Sequence, residues 1–280
     1  MKPTNPNSDF EKYDTVSRDY DKTRVPAGLE AVLGILCNHG LTNSRVPIEQ
    51  TELISLGCGT GNYEIELAKY TGRVTGIDIS EEMIRKAKEK SRGIPNLDFR
   101  VGDATNLPIP DESFDAALFA VSLHHMGGYD IQEQALREAY RALRLGGLVV
   151  IQTISQRQLR DGFWYFDLIP EAAQKLADRY LHIPDLVTRL TVMGFEYNGS
   201  IAPIDATFQG NAHFDTDGPF KPEWRAGVSV WPLATKNELK SALDRLRRMK
   251  EYGTFEEYFR KREALRRDIG QMTFVYATKQ

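Results

Sequence analysis

Short apolar runs alternate with amphipathic stretches along most of the chain. Leu53-Ile54-Ser55-Leu56 is an apolar run stopped by glycines, and Arg73 to Asp78, Leu97 to Val101 and Phe114 to Val121 follow it. Leu148 to Ile154 makes a fifth run, Phe195 to Phe208 contains a sixth, and Met272 to Thr278 makes the last. Between them, Asn62 to Tyr70 and Ile131 to Leu143 read as helices, the second closed by Gly146-Gly147. Ser80 opens another helix as N-cap. Glu81 and Glu82 stand in its first turn and Arg85, Lys86, Lys88 and Lys90 later, an order that suits the helix dipole. Met193-Gly194 ends one more. Strands that alternate with helices predict an α/β fold, a doubly wound, seven-stranded, mostly parallel sheet.

Two segments break this rhythm. Residues 155–182 carry Phe163-Trp164-Tyr165-Phe166 and then a helical run from Pro170. Residues 209–270 are punctuated by Gly and Pro at first, then strongly charged and helical. The expected division is an N-terminal helical arm or lid (1–44), a core (45–208) that includes the insert 155–182, a cap with C-terminal helices (209–270) and a final core strand (271–280). No internal repeat or low-complexity tract is present.

Composition narrows the partners. Of 280 residues, 36 are basic and 39 acidic, a net charge of −3 that argues against an extended nucleic-acid footprint. No apolar run approaches the ~20 residues of a membrane-spanning helix, and no basic-then-apolar leader opens the chain, so a cytoplasmic protein without a membrane partner is expected. Cys37 and Cys58 lack metal-ligand spacing, so no metal is expected and a disulfide between them is the lesser reading. Between Asn237 and Arg267, ten basic and six acidic residues surround the stripe Leu239, Leu243, Leu246 and Met249. That pattern reads as a solvated helix packed on the protein rather than an RNA-binding face.

The chemistry concentrates at predicted strand ends. Leu56-Gly57-Cys58-Gly59-Thr60-Gly61-Asn62 lies where the first strand turns into a helix. Glycines there let a ligand approach the backbone, and the helix start offers free N–H groups. The spacing G-x-G-x-G differs from the G-x-G-x-x-G of dinucleotide-binding turns. Asp78 stands 21 residues after Gly57 at the end of the next strand. A carboxylate there accepts from both hydroxyls of a ribose; its plainer reading is a strand-end or capping aspartate, but Ser80 is the better cap. Asp103-Ala104, past the third strand, suits an exocyclic amino group such as that of adenine, against plain turn chemistry at Gly102-Asp103.

With these residues the chain resembles class I S-adenosylmethionine-dependent methyltransferases, in particular the small-molecule group of ubiquinone and menaquinone C-methyltransferases. The carriers are Leu56 to Gly61, Gly76-Ile77-Asp78-Ile79-Ser80, Gly102-Asp103-Ala104, Leu107 to Asp115 and Leu145-Gly146-Gly147, and the likeness covers about residues 10–155. It implies a Rossmann-like core with helical and aromatic inserts forming a cap, and S-adenosyl-L-methionine as cofactor with S-adenosyl-L-homocysteine as product. By the resemblance Gly57, Cys58, Gly59, Gly61 and Asn62 line its methionine part. Asp78 holds the ribose beside Ile79 and Met83, Asp103 and Ala104 meet the adenine edge, and Val121 borders the sulfonium. Tyr20-Asp21-Lys22-Thr23-Arg24 is similar to a segment that folds over the cofactor, so Tyr20 and Arg24 would contact its carboxylate; a surface charge is the other reading of Arg24. One departure stands out: relatives carry an acidic residue two positions before the first glycine, and this chain has Ser55.

Methyl transfer from a sulfonium depends on positioning the acceptor and excluding water. A base is needed only if the acceptor must lose a proton. His124 and His125 directly follow the fourth strand, at the edge where the methyl would lie. As candidate catalytic residues either could act as base or orient the acceptor, His125 before His124; the alternative is a helix-start histidine bonding backbone carbonyls. Trp164, Tyr165, Trp224 and Arg225 are the candidate acceptor-pocket residues, on segments expected to form an aromatic lid; a second small core is the alternative for the rings and a surface charge for Arg225. The reading is methyl transfer to a small-molecule acceptor. Its rivals are an RNA or protein methyltransferase, a nicotinamide-dependent oxidoreductase, and a non-catalytic S-adenosylmethionine-binding protein, which Ser55 leaves open. The acceptor atom and the oligomeric state are not legible.

Overall fold

The structure, a computed structural model, describes residues 24–41 and 46–280. Seven strands form one sheet in the order β3-β2-β1-β4-β5-β7-β6: β1 (Glu52–Leu56), β2 (Arg73–Asp78), β3 (Leu97–Val101), β4 (Phe114–Ala120), β5 (Leu143–Thr153), β6 (Phe195–Ile201) and β7 (Thr273–Lys279). The first five pair in parallel, and β7 runs antiparallel between β5 and β6. β1, β4, β5 and β7 are buried over nearly their whole length, because helices cover both faces of the sheet. The two edges differ: Arg100 and Val101 of β3 and most of β6 face outward.

On one face, α1 (Leu29–His39) and α2 (Asn62–Leu67) join an apolar cluster that includes Leu53, Leu118, Val150 and Phe274. On the other, α4 (Tyr129–Ala142) and α7 (Ile183–Met193) pack over Ile54, Phe119, Ile151 and Val275. The third helix, α3 (Glu81–Lys90), lies on β2 and β3, and Ser80 caps it by accepting from the Met83 amide. The glycine pair does not close α4. That helix stops at Ala142, Leu143 already pairs with Phe114, and Gly146-Gly147 sit in an irregularity before Leu148 meets Ala116.

The segments between β5 and α7 and between β6 and β7 build the cap. They contain α5 (Gln156–Asp161), α6 (Pro170–Ala177), α8 (Pro222–Ala226), α9 (Lys236–Glu251) and α10 (Phe255–Ile269). The charged tail is thus two helices broken at Tyr252-Gly253, with Ala242 and Leu246 of the first and Phe255 of the second turned inward. Phe163, Trp164, Tyr165, Phe166, Trp224 and Trp231 are buried in the same cluster as the sheet residues Val150 and Phe274. Cys37 and Cys58 are both free thiols. No helix among the described residues is long and apolar enough to cross a membrane.

Candidate functional site

In this strand order the chain crosses over between β1 and β4, so their carboxyl ends diverge and leave a crevice between them. Ser122, just past β4, stitches the base of that crevice by donating its hydroxyl to the Leu56 carbonyl at 2.5 Å. From β1 the backbone hooks sideways, with the amides of Gly57 and Cys58 both donating to the Ile77 carbonyl of β2. Three glycines follow with positive φ, but they answer to different neighbours. A Cβ on Gly57 would lie 2.6 Å from Ser122 Cβ, and one on Gly61 would lie 2.4 Å from Phe99 Cζ. Both are demanded by packing within the protein, and Gly61 does not line the cleft. Gly59 is different: a Cβ there meets nothing within 4 Å, so its open side faces the cleft.

Asp78 ties two strand ends together. Its Oδ2 accepts from the Gly59 amide at 2.8 Å and its Oδ1 from the Ser80 amide at 2.9 Å. Burial raises the carboxyl above its ordinary range, and these two amides oppose the rise. Each oxygen keeps a lone pair, which is what a vicinal diol requires. Asp103 is held from one side only, its Oδ1 accepting from the Thr105 amide and hydroxyl at 2.8 and 2.7 Å.

Around these groups lies a cavity of about 190 Å³. Gly57, Cys58, Gly59, Asn62, Asp78, Ile79, Met83, Asp103, Ala104, Val121 and Arg24 all line it, and so does His125. Asn62 is engaged by Lys90, whose ammonium donates to its side-chain oxygen. Arg24 donates from Nε to the Gly227 carbonyl at 3.0 Å, which ties the start of the described chain to the segment between β6 and β7. Tyr20 lies outside the described residues. The protein groups fit an adenosyl cofactor: a backbone cradle open at Gly59, a carboxylate at Asp78 with a lone pair left on each oxygen, and apolar side chains of Ile79 and Met83 beside a carboxylate at Asp103.

Next to the cavity at Val121 lies a small annex of about 20 Å³ that shares Arg24, Val121, Phe208 and Ser229 with it. Val121 is a β-branched residue at φ 56, an expensive conformation that turns the chain abruptly off β4 at this junction. His125 is on the cleft wall, and burial together with the charges of Arg24 and Arg179 pushes it down to about 3. His124 is not on the wall. Its ring stacks on Tyr180, with centroids 3.9 Å apart, and burial keeps it well below its usual range.

The four candidate acceptor-pocket residues separate. Tyr165 lines the annex. Trp164 and Trp224 line neither space; they are buried to 1% and 3% exposure, with their indole N–H groups donating to the carbonyls of His213 and Ala212. Arg225 is also off both walls, its guanidinium spent on the Pro219 carbonyl. The rings therefore belong mainly to the core that extends from the sheet face, and the cover over the cleft comes from the backbone-rich segment holding Ala226, Gly227, Ser229 and Pro232. Hydrophobicity alone gave no signal for that segment. Among the described residues no group of three or more His, Cys, Asp or Glu could hold a metal ion.

Glu64 escaped the sequence reading. It sits on the inner face of α2, 1% exposed, and accepts the Ser55 hydroxyl at 2.5 Å. Position 55 carries no acid, but a carboxylate from the next helix reaches it. Its other oxygen, Oε2, has no hydrogen-bond partner among the described residues. Burial pushes its carboxyl up to about 7 in spite of the Ser55 bond. The available clue was an acid in α2 next to apolar positions on its buried face.

Residues 54–151 match the methyltransferase-domain family. The demethylmenaquinone methyltransferase of Staphylococcus aureus (strain JH9) is 40% identical over 155 residues, which cover 52% of this chain and 60% of that protein. The chain therefore spans less than two thirds of the curated relative it matches. A structure of a protein from an antibiotic biosynthesis pathway of Anabaena variabilis, described as a methyltransferase, superposes with a TM-score of 0.71 at 23% identity, covering 91% of this chain and 99% of that one. A SAM-dependent methyltransferase from Aquifex aeolicus superposes at 0.54 with 18% identity, covering 69% and 93%. At these identities the two structures show a shared fold.

Proposed function

We propose that this chain, whose residues 54–151 carry a methyltransferase domain on a class I sheet, transfers the methyl of S-adenosylmethionine to a small-molecule acceptor. The observation that carries the reading is the convergence of three successive strand tips, Gly59, Asp78 and Asp103, on one cleft, with Gly59 and Asp78 directly bonded. Fold alone does not choose the chemistry, but this set of groups suits an adenosyl moiety better than a dinucleotide. The names of the Staphylococcus and Aquifex proteins support the same cofactor and reaction class.

When bound, S-adenosylmethionine supplies a methyl activated by a positive sulfonium and leaves as S-adenosylhomocysteine. Asp78 would accept from the ribose hydroxyls and Asp103 from the adenine amino group, with Ile79 and Met83 against the ring. Arg24, Gly57, Cys58 and Asn62 border the methionine end. Val121 stands where cleft and annex meet, so the acceptor would approach from its far side. Held near 3, His125 is a neutral imidazole at physiological pH and orients the acceptor rather than removing its proton. The cap excludes water, as an in-line displacement requires.

Calorimetry with S-adenosylhomocysteine tests the site. Asp78→Ala should weaken binding by roughly 1–3 kcal/mol through unpaired ribose hydroxyls, with circular dichroism confirming that the glycine turn survives. Unchanged affinity in a folded variant removes Asp78 from the site and the reading with it.

A further inference from the structure

The annex beyond Val121 has apolar walls built mainly of Ile154, Phe163, Phe166, Leu176 and Phe208. Polar side chains interrupt that character, among them Arg24, Tyr165 and Gln209. Gln209 is 4% exposed and has an amide Nε2 with no hydrogen-bond partner among the described residues. The Tyr165 hydroxyl donates to Gln209 Oε1 at 3.0 Å. The unpaired group on this annex-lining side chain is thus an N–H donor.

A buried amide donor left unpaired is costly, and native proteins rarely keep one without a purpose. At about 20 Å³ the space admits one water-sized group and no more. It adjoins the cleft across Val121 and Phe208, beside the place where the acceptor of the proposed methyl transfer would lie. The charged group on its wall is cationic, the guanidinium of Arg24. A donor and a cation at the end of an aromatic slot favour an oxygen with lone pairs to give, a carbonyl or an oxyanion, and disfavour an ammonium or a bare hydrocarbon.

We propose that Gln209, bonded to Tyr165, is a specificity-determining residue that receives one oxygen of the acceptor in this annex. The proposal rests on the methyltransferase reading, since it takes the cleft as the cofactor's place. The selectivity should resemble other sites built to bond a polar group: an analogue without the oxygen leaves the amide unpaired and is rejected.

Acetophenone and ethylbenzene, nearly equal in shape and differing by the carbonyl oxygen, are suitable probes. Their affinities for the full chain saturated with S-adenosylhomocysteine would be measured by ligand-observed NMR. Acetophenone should bind at least tenfold more tightly, and Gln209→Leu should bring the ratio to within about twofold while S-adenosylhomocysteine affinity is unchanged. Equal binding of the two probes to the unmodified protein, no binding of either, or a preference that survives in Gln209→Leu overturns the proposal. Should that variant fail to fold, Tyr165→Phe releases the amide to rotate, and the ratio should fall at least threefold; an unaltered ratio is equally fatal. Failure of S-adenosylhomocysteine to bind the unmodified protein would instead defeat the parent reading, so the two failures are distinguishable.

Discussion

Two buried ionisable groups near the glycine turn carry opposite lessons about charge. His125 lines the cleft, but burial and two nearby guanidinium groups hold it near 3. If it orients the acceptor as a neutral ring, the methylation rate of His125→Gln should fall without any change in the form of its pH profile between pH 5 and 8. An inflexion near pH 6.5 in the unmodified protein that vanishes in the variant would restore the role of base. Glu64 titrates in the range His125 has left. Its carboxyl moves from about 4.5 in the unfolded chain to about 7 in the folded one. Between those values the folded state holds more protons, so stability falls as pH rises, by about 3 kcal/mol once the group is fully ionised. Glu64→Gln keeps an acceptor for Ser55 and deletes the titration. The variant should exceed the unmodified protein in urea midpoint at pH 8 and match it at pH 4; parallel curves at pH 4, 6 and 8 would show that Glu64 is not responsible.

The helices of the cap are fastened by polar groups rather than by apolar stripes alone, and α10 shows how. Glu263 on its inner face accepts from His213 Nε2 at 2.6 Å and from Arg266 Nε at 2.8 Å, and Arg266 also reaches the Ile204 carbonyl. Although burial pushes the Glu263 carboxyl up, the bonds from His213 and Arg266 prevail and keep it below its ordinary range. Its contribution is present above about pH 4.5 and is lost as pH falls through the lowered value. Glu263→Gln would leave the Arg266 charge buried and unpaired, at a cost of about 3 kcal/mol. Faster hydrogen exchange confined to α10 and the 204–214 segment would register it, and unchanged protection would show that the helix is held by Phe255 and its neighbours instead. This fastening explains what the sequence could disclose. The core strands were legible because burial on both faces writes mostly apolar runs at Leu53 to Leu56 and Leu148 to Ile154, and the strand-tip carboxylates because glycine turns announce them. Trp164 and Trp224 could not be divided between pocket and core by composition, since a buried indole serves either and only its N–H partners decide. Glu64 and Gln209 were invisible for the opposite reason: their meaning lies in contacts with Ser55 and Tyr165 that only the folded chain creates.

At the scale of the molecule, the cleft is a joint between sheet and cap. One wall is the glycine turn and the ends of β2, β3 and β4; the other is the segment from Ala226 to Pro232, tethered through Arg24 to the Gly227 carbonyl. The aromatic cap core is continuous with the sheet face through Val150 and Phe274, so the two layers should unfold as a unit. The chain's three tryptophans, Trp164, Trp224 and Trp231, all stand in the cap. Their fluorescence therefore reports on the cap, while far-ultraviolet circular dichroism reports on all elements. The two melting curves should coincide. S-adenosylhomocysteine at a hundred times its Kd should stabilise the protein by about 2.7 kcal/mol and raise both midpoints together by about 5–10 °C. A tryptophan transition that comes first and ignores the ligand would mean that the cap is a separate unit, and that the site belongs to the sheet alone.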